Sequence, residues 1–534
     1  MKTSPIAIAA ALAAAPALAQ DLPQADNEWF TAAQEALEAK LGVEPITTPA
    51  RNVIILIADG NGVGTNYATR LWEGQQGGGM GDEHVLHHET FPYLALAKTY
   101  NVNAQTPDSA GTGTAMHAGV KTKAGVLGVD ETLDRGDCSQ VEGARVAGAA
   151  EIFTEMGKSV GIVSTARITH ATPASVYASA ADRNFENDGD LPDGCEVPDI
   201  ATQLIDAMEA GLVDVAMGGG RRNFYPEGAE VPEMGEGRRI EGDLVARAEE
   251  LGAQVAFDSE GFAAIDASAG GPILGLFEDS HMMYEHDRAN EPSLAEMTAA
   301  AITALQGNEE GFFLSVESGR VDHANHAGNL HRVVTDGAAF AEAVRVADEM
   351  TDDGETLIVV TADHEHAIAF NGYCGRGSPI TGLCYEIDEA GTMHADTLNM
   401  ADDDKPYTVV GYLNGPGSVL LSDQGYSGER PSIEQDQATD PEYLQQSLIP
   451  KSSETHSGED VAIYAKGPFA HLMEGTVEQN FIFHVMHHAA TAEGEATASG
   501  EEVPTAEDVL PVADEAQEDM DESMVDEGDE PASE

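Results

Sequence analysis

The chain has 534 residues and a formal net charge of −68, with 94 acidic residues against 26 basic ones. So negative a surface excludes nucleic-acid binding by phosphate neutralisation. It also opposes any phosphorylated substrate unless cations at the site or external salt relieve the field, and it reads as adaptation to a saline medium.

In chain order, Met1-Lys2-Thr3 leads into an Ala-rich apolar run ending in Ala17-Leu18-Ala19. That is the pattern of a secretory signal over residues 1–19, cut before Gln20. No later stretch has the unbroken apolar length of a membrane span, so a soluble, exported protein is expected, periplasmic or secreted. Residues 20–50 read as an arm. From Asp26 to about Leu41 a helical pattern puts Phe30, Ala33, Leu37 and Leu41 on one side. That face must be buried on its own domain or on a second subunit.

The run Asn52–Ala58 is continuously apolar, as a parallel strand covered on both faces should be. Similar runs are Val160–Val163, Val213–Met217, Phe312–Val316, Leu357–Thr361 and Val461–Ala465. Helical patterns lie between them at Val141–Met156, Ile200–Ala210, Leu294–Leu305 and Val333–Met350, and Val477–Ala489 reads as a closing helix. Strand and helix alternating at this spacing predict an α/β fold with a doubly wound, mostly parallel sheet flanked by helices, over residues 51–489. Residues 367–451 turn Gly/Pro-rich and irregular, the pattern of an insertion on the sheet. Residues 490–534 hold seventeen Asp/Glu and no Lys or Arg after Ala490, which predicts a disordered acidic tail.

None of the four cysteines forms a C-x-x-C pair. Export favours two disulfides, and four cysteines allow three pairings. Cys374–Cys384 with Cys138–Cys195 is favoured because the first closes a short Gly/Pro-rich loop.

Chemistry gathers at the strand ends, where ligands bind in doubly wound sheets. Thr106-Pro107-Asp108-Ser109-Ala110-Gly111 places a hydroxyl at a helix N-terminus, which favours an anion. Asp108 would repel a phosphate there unless a cation offsets it. The first strand ends at Asp59, and the second runs on to His170 and Thr172. The strand at Phe312 ends in Glu317, with Asp322, His323 and His326 following; the strand at Leu357 ends in Asp363-His364-Glu365-His366. Glu454-Thr455-His456 precedes the Val461 strand. Asp322 and His326, four apart, share a helical face and can chelate one metal, with His456 completing a shell suited to Zn²⁺. Asp59, Asp363 and His364 make a second such shell. Glu317, Thr172 and the second oxygen of Asp59 make an all-oxygen set suited to Mg²⁺.

Together with Asp182-Arg183-Asn184 and His456-Ser457-Gly458-Glu459-Asp460, these segments closely resemble the alkaline phosphatase family over roughly Asp26 to Ala489. The resemblance implies a phosphate monoester hydrolase with Ser109 as nucleophile, two zinc ions and one magnesium, and Arg183 as a phosphate clamp oriented by Asp108. It also implies a homodimer with an N-terminal arm and a crown-like insertion. His170, a substrate-side residue, and His323 stand where some members carry Asp and Lys. Some members bind calcium, and Glu278 and Glu291 lie in a similar segment. Two other readings are a related metal hydrolase for phosphodiesters or sulfate esters, and an exported binding protein without turnover.

Overall fold

In the computed structural model, which describes residues 22–229, 235–422, 425–426, 428–494 and 503–510, the run Asn52–Ala58 is strand β1 of a ten-stranded sheet. The other strands are β2 (Tyr93–Lys98), β3 (Ser159–Arg167), β4 (Val215–Gly219), β5 (Gln254–Ala256), β6 (Ile273–Leu276), β7 (Phe312–Ser318), β8 (Thr356–Thr361), β9 (Val461–Lys466) and β10 (Gly475–Glu478). Their order is β10-β2-β9-β8-β1-β7-β3-β4-β6-β5. β9 runs antiparallel to both its neighbours, and the remaining pairings are parallel.

The apolar run of β1 has a direct cause. Val53, Ile55 and Ile57 enter the core on one face, while Ile54, Leu56 and Ala58 enter the core on the other. With helices on both faces, alternate residues are buried on opposite sides and no position is left for a polar one. The four adjacent strands β8, β1, β7 and β3 carry the site at their carboxyl ends. Register holds Ile57 opposite both Glu317 and Thr361, and Ser164 opposite Glu317, so the residues that follow emerge at one level.

The chain divides into two units, Met1–Pro45 and Ile46–Glu534. In the first, helix α1 (Glu28–Leu41) is capped by the Asn27 side chain, which accepts from Trp29 N and Phe30 N. Trp29 and Leu41 are each 77 % exposed. In the second, helices α2 (Val63–Gln76) and α3 (Ser109–Ala118) follow β1 and β2. Within residues 367–451, Ile368–Phe370, Val410–Gly415 and Ser447–Pro450 form a small three-stranded sheet beside short hairpins. The disulfides are Cys138–Cys195 and Cys374–Cys384. No helix among the described residues is long and apolar enough to cross a membrane.

Three expectations change. The helical pattern Val141–Met156 breaks into Val141–Ala144 and Ala149–Glu155, because the chain is extended at Arg145 and Gly148. Val477 lies in β10, and the closing helix begins later, at Phe481. The stretch beyond Ala490 is not uniformly loose: residues 506–509 form a helical turn. Val509 is buried against the second core, and Arg345 donates to its carbonyl at 2.9 Å. The apolar residues Ala506, Val509 and Leu510 lie within this acidic stretch and give it something to bury. The signal segment 1–19 and most of the tail lie outside the described residues.

Candidate active site

Ser109 is the first residue of α3, and Asp108 is its N-cap. Asp108 Oδ1 accepts from Gly111 N at 3.1 Å and from Asn101 Nδ2 at 2.9 Å; Oδ2 accepts from Gly125 N at 2.9 Å and Arg183 Nη1 at 3.2 Å. Burial pushes the Asp108 carboxyl up, but Arg183 and the backbone N–H groups of Gly125 and Gly111 outweigh it and hold it below the usual range. Its charge is thus committed to the loop and to the guanidinium. The repulsion the sequence raised against a phosphate is offset in this way.

Three groups of donors meet in front of Ser109. His326 Nε2 lies 3.4 Å from Asp322 Oδ1, His456 Nε2 lies 3.3 Å from the same oxygen, and the two imidazole nitrogens are 3.1 Å apart. Ligands bonded at ~2.0–2.1 Å in a tetrahedral shell are themselves about 3.4 Å apart, so this triad has zinc-like spacing. His326 Nδ1 donates to Glu454 O at 2.6 Å and His456 Nδ1 to Pro107 O at 2.9 Å. Each hydrogen bond orients its ring so that Nε2 faces the shared position. In the second group, His364 Nε2 lies 3.4 Å from Asp59 Oδ1 and 3.3 Å from Asp363 Oδ2. Ser109 Oγ sits 3.4 Å from both Asp59 Oδ2 and His364 Nε2. The third group joins Asp59, Glu317 and His170. Asp59 Oδ1, Glu317 Oε1 and Thr172 Oγ1 are buried without hydrogen-bond partners, which is costly unless a cation takes them up.

The electrostatics agree. Burial, with Asp363, Asp322 and Glu317 nearby, pushes the Asp59 carboxyl well up. Burial also takes Glu317 up to about 7, with Asp363 adding to it. Buried carboxylates crowded in this way suit a cation. Asp322 goes the other way: burial opposes its charge, but His326, His366 and His456 hold it well below the usual range.

Sequence reasoning named His366 at a strand end without placing it in either shell, and it missed His281 altogether. His366 Nε2 bonds Asp322 Oδ1 at 2.8 Å and its Nδ1 bonds Glu454, so it supports the first group from behind. Burial lowers its pKa, but Asp322 and Glu454 together raise it to about 10. The spacing His364-x-His366 carried the signal, since alternate residues of an extended segment share a face. His281 packs on His323 with ring centroids 4.0 Å apart and touches Arg167, beside His170. It comes from an irregular loop and no spacing announced it. Burial and the arginines keep His170, His323 and His281 neutral, and His170 Nε2 faces Arg183 Nη2 at 3.0 Å. Glu278 and Glu291 lie outside every metal-capable cluster among the described residues. Burial and the Glu278 charge take Glu291 up to about 7.

A helix-borne serine facing converging carboxylates and imidazoles at the carboxyl edge of a mostly parallel sheet defines a metal-dependent hydrolase. The family model described as alkaline phosphatase matches residues 50–492. The tissue-nonspecific isozyme of alkaline phosphatase from Gallus gallus is 40 % identical over 481 residues, covering 86 % of this chain and 89 % of that protein. The alkaline phosphatase of Gadus morhua is 38 % identical over 486 residues, covering 88 % and 97 %. The chain belongs to the alkaline phosphatase family and is a phosphate monoester hydrolase. Solved alkaline phosphatases from the Antarctic bacterium TAB5 (TM-score 0.56, 21 % identical, 84 % and 100 % covered) and from Thermus thermophilus (0.59, 23 %, 88 % and 96 %) share the fold.

Proposed function

We propose that hydrolysis proceeds through a phosphoserine at Ser109, with zinc held by Asp322, His326 and His456 and by Asp59, Asp363 and His364. Magnesium is held by Asp59, Glu317 and Thr172, with His170 beside it. The observation that carries this reading is the spacing of the donors, 3.1–3.4 Å in the first group. When bound, such ions supply Lewis acidity that stabilises both the attacking and the leaving oxygen.

The chain's own residues do the rest. Ser109 Oγ attacks phosphorus in line with the ester oxygen; the P–O bond to the alcohol breaks, and the alcohol leaves with a proton. Arg183, held by Asp108, grips two non-bridging oxygens and favours the charge spread of the transition state over that of the ground state. Neutral His170 lets the guanidinium approach without a second charge. Water then attacks the phosphoserine from the face the alcohol vacated. The Oγ–P bond breaks, inorganic phosphate departs and the hydroxyl is restored.

On the same reading the protein is exported, works as a homodimer and tolerates high salt; two disulfides suit an oxidising compartment. Among the described residues no third His, Cys, Asp or Glu joins Glu278 and Glu291, so no such cluster supports calcium there. Trapping with radiolabelled monoester at acid pH should label wild type but not Ser109→Ala, whose zinc content should stay unchanged. Label in the variant, or normal turnover, would refute the assignment, and a substrate panel favouring diesters or sulfate esters would move the substrate class.

A further inference from the structure

α3 carries a second functional-looking group at its other end. His117 is fully buried, eight residues after Ser109, in a helix of small side chains. Its Nδ1 lies 2.7 Å from Ser175 Oγ and its Nε2 lies 3.1 Å from Ser315 Oγ. Ser175 Oγ itself donates to Thr172 O at 2.7 Å. A hydroxyl has one proton, so Ser175 must accept from His117 Nδ1–H. Nε2 is then the acceptor, and Ser315 donates to it. Burial holds the ring neutral, with a pKa of about 3, and so keeps one donor and one acceptor in place.

Both partners belong to elements that present the magnesium ligands proposed above. Ser175 closes the helical turn Ala171–Ala174 that bears Thr172. Ser315 is on β7 two residues before Glu317, hence on the same face of the strand. Contact between the two helices is close: at Gly113 a Cβ would fall 2.7 Å from Ser175 Oγ. One imidazole therefore fixes the distance from the serine helix to both proteinaceous walls of the oxygen-rich pocket.

We propose that His117 is a positioning residue that registers the Ser109 helix against Thr172 and Glu317, so that magnesium binding and serine attack depend on one shared set of hydrogen bonds. This rests on the reading of Ser109 as nucleophile and of Thr172 and Glu317 as magnesium ligands. The test uses full-length His117→Leu, Ser175→Ala and the double variant, loaded with zinc. Three readouts are taken: Mg²⁺ bound at equilibrium, the rate of phosphoserine formation, and melting temperature. Losing one buried neutral hydrogen-bond set should weaken Mg²⁺ binding and slow phosphoserine formation about tenfold each. Zinc content should not change, and the double variant should be no worse than the poorer single one, since both remove the same link. Unchanged Mg²⁺ binding with only a lower melting temperature would overturn the proposal, as would losses that multiply in the double variant. If His117→Leu does not fold, Ser315→Ala, which removes the ring's other partner and leaves the Ser175–Thr172 bond in place, keeps the test decisive. A wild type that binds no Mg²⁺, or a Ser109→Ala protein that turns over, would instead overturn the underlying reading and this inference with it.

Discussion

His366→Ala should damage the protein as severely as loss of a direct zinc ligand, although His366 stands behind the triad. The imidazole is completely buried between the Asp322 and Glu454 carboxylates and bonds both. Removing one partner from a buried ion pair costs about 3–5 kcal/mol, because the remaining carboxylates stay buried without compensation. The rise of its pKa from 6.5 to about 10 points to a similar size, about 5 kcal/mol at most. The sign also fixes a pH dependence for metal-free protein. A base whose folded pKa is raised stabilises the fold fully below pH 6.5 and loses that contribution as pH climbs through about 10. The assay is urea unfolding of metal-free wild type and His366→Ala between pH 6 and 10, with zinc retention after dialysis measured in parallel. Wild type should lose stability across that window, and the variant should be weaker at pH 6 and flatter. Its zinc affinity should fall roughly 10- to 100-fold, as for other residues that orient a metal ligand. A variant that keeps its zinc and its pH 6 stability would refute this account of the buried pair.

Arg183→Ala should weaken inhibition by inorganic phosphate roughly 10- to 100-fold, the loss of one charge-assisted pairing, and an unchanged inhibition constant would contradict the clamp. His326→Ala, His364→Ala and His456→Ala should each lower zinc content in metal analysis, whereas His331→Ala should not, since its ring contacts His286 and Trp72 away from the triad. Melting temperature should rise from low to molar NaCl, because the Debye length shrinks from ~10 Å at 0.1 M to ~3 Å at 1 M. Truncation after Leu510 should raise the low-salt melting temperature by removing negative charge; truncation after Glu502 should give part of that gain back, because Val509 leaves its seat.

The sequence was most legible where burial on two faces dictates composition. β1 and β8 announce themselves as apolar runs and β7 as one interrupted at Ser315, and the proposed ligands follow at their ends. β2 was not read as a strand. Its Leu94 and Leu96 alternate with buried Ala95 and Ala97 and remain partly exposed, so the small residues face inward and the large ones outward, reversing the usual cue. The break at Gly148 depends on the chain being extended there, which periodicity alone does not encode. The site was legible as a set of ligand types. Spacing already placed His326, and not His366, beside Asp322 as a proposed ligand; what it could not supply is the partner of each Nδ1, the Glu454 carbonyl for His326 and the Glu454 carboxylate for His366, which only the folded chain brings together.

The central position of β1 bears on how the chain reaches its native state. Its two neighbours, residues 312–318 and 356–361, lie roughly 250 and 300 residues further along. At about 5–20 residues per second, a ribosome needs on the order of 15 seconds to a minute to supply them. During that interval the most apolar segment of the protein has no native partner on either side. Pairings this distant also carry a large loop-closure entropy before they return any contact energy, which makes folding slow by its topology. The dense negative charge then takes on a kinetic value: it keeps unfinished chains apart while a segment as sticky as Val53–Ala58 waits for the rest of its sheet.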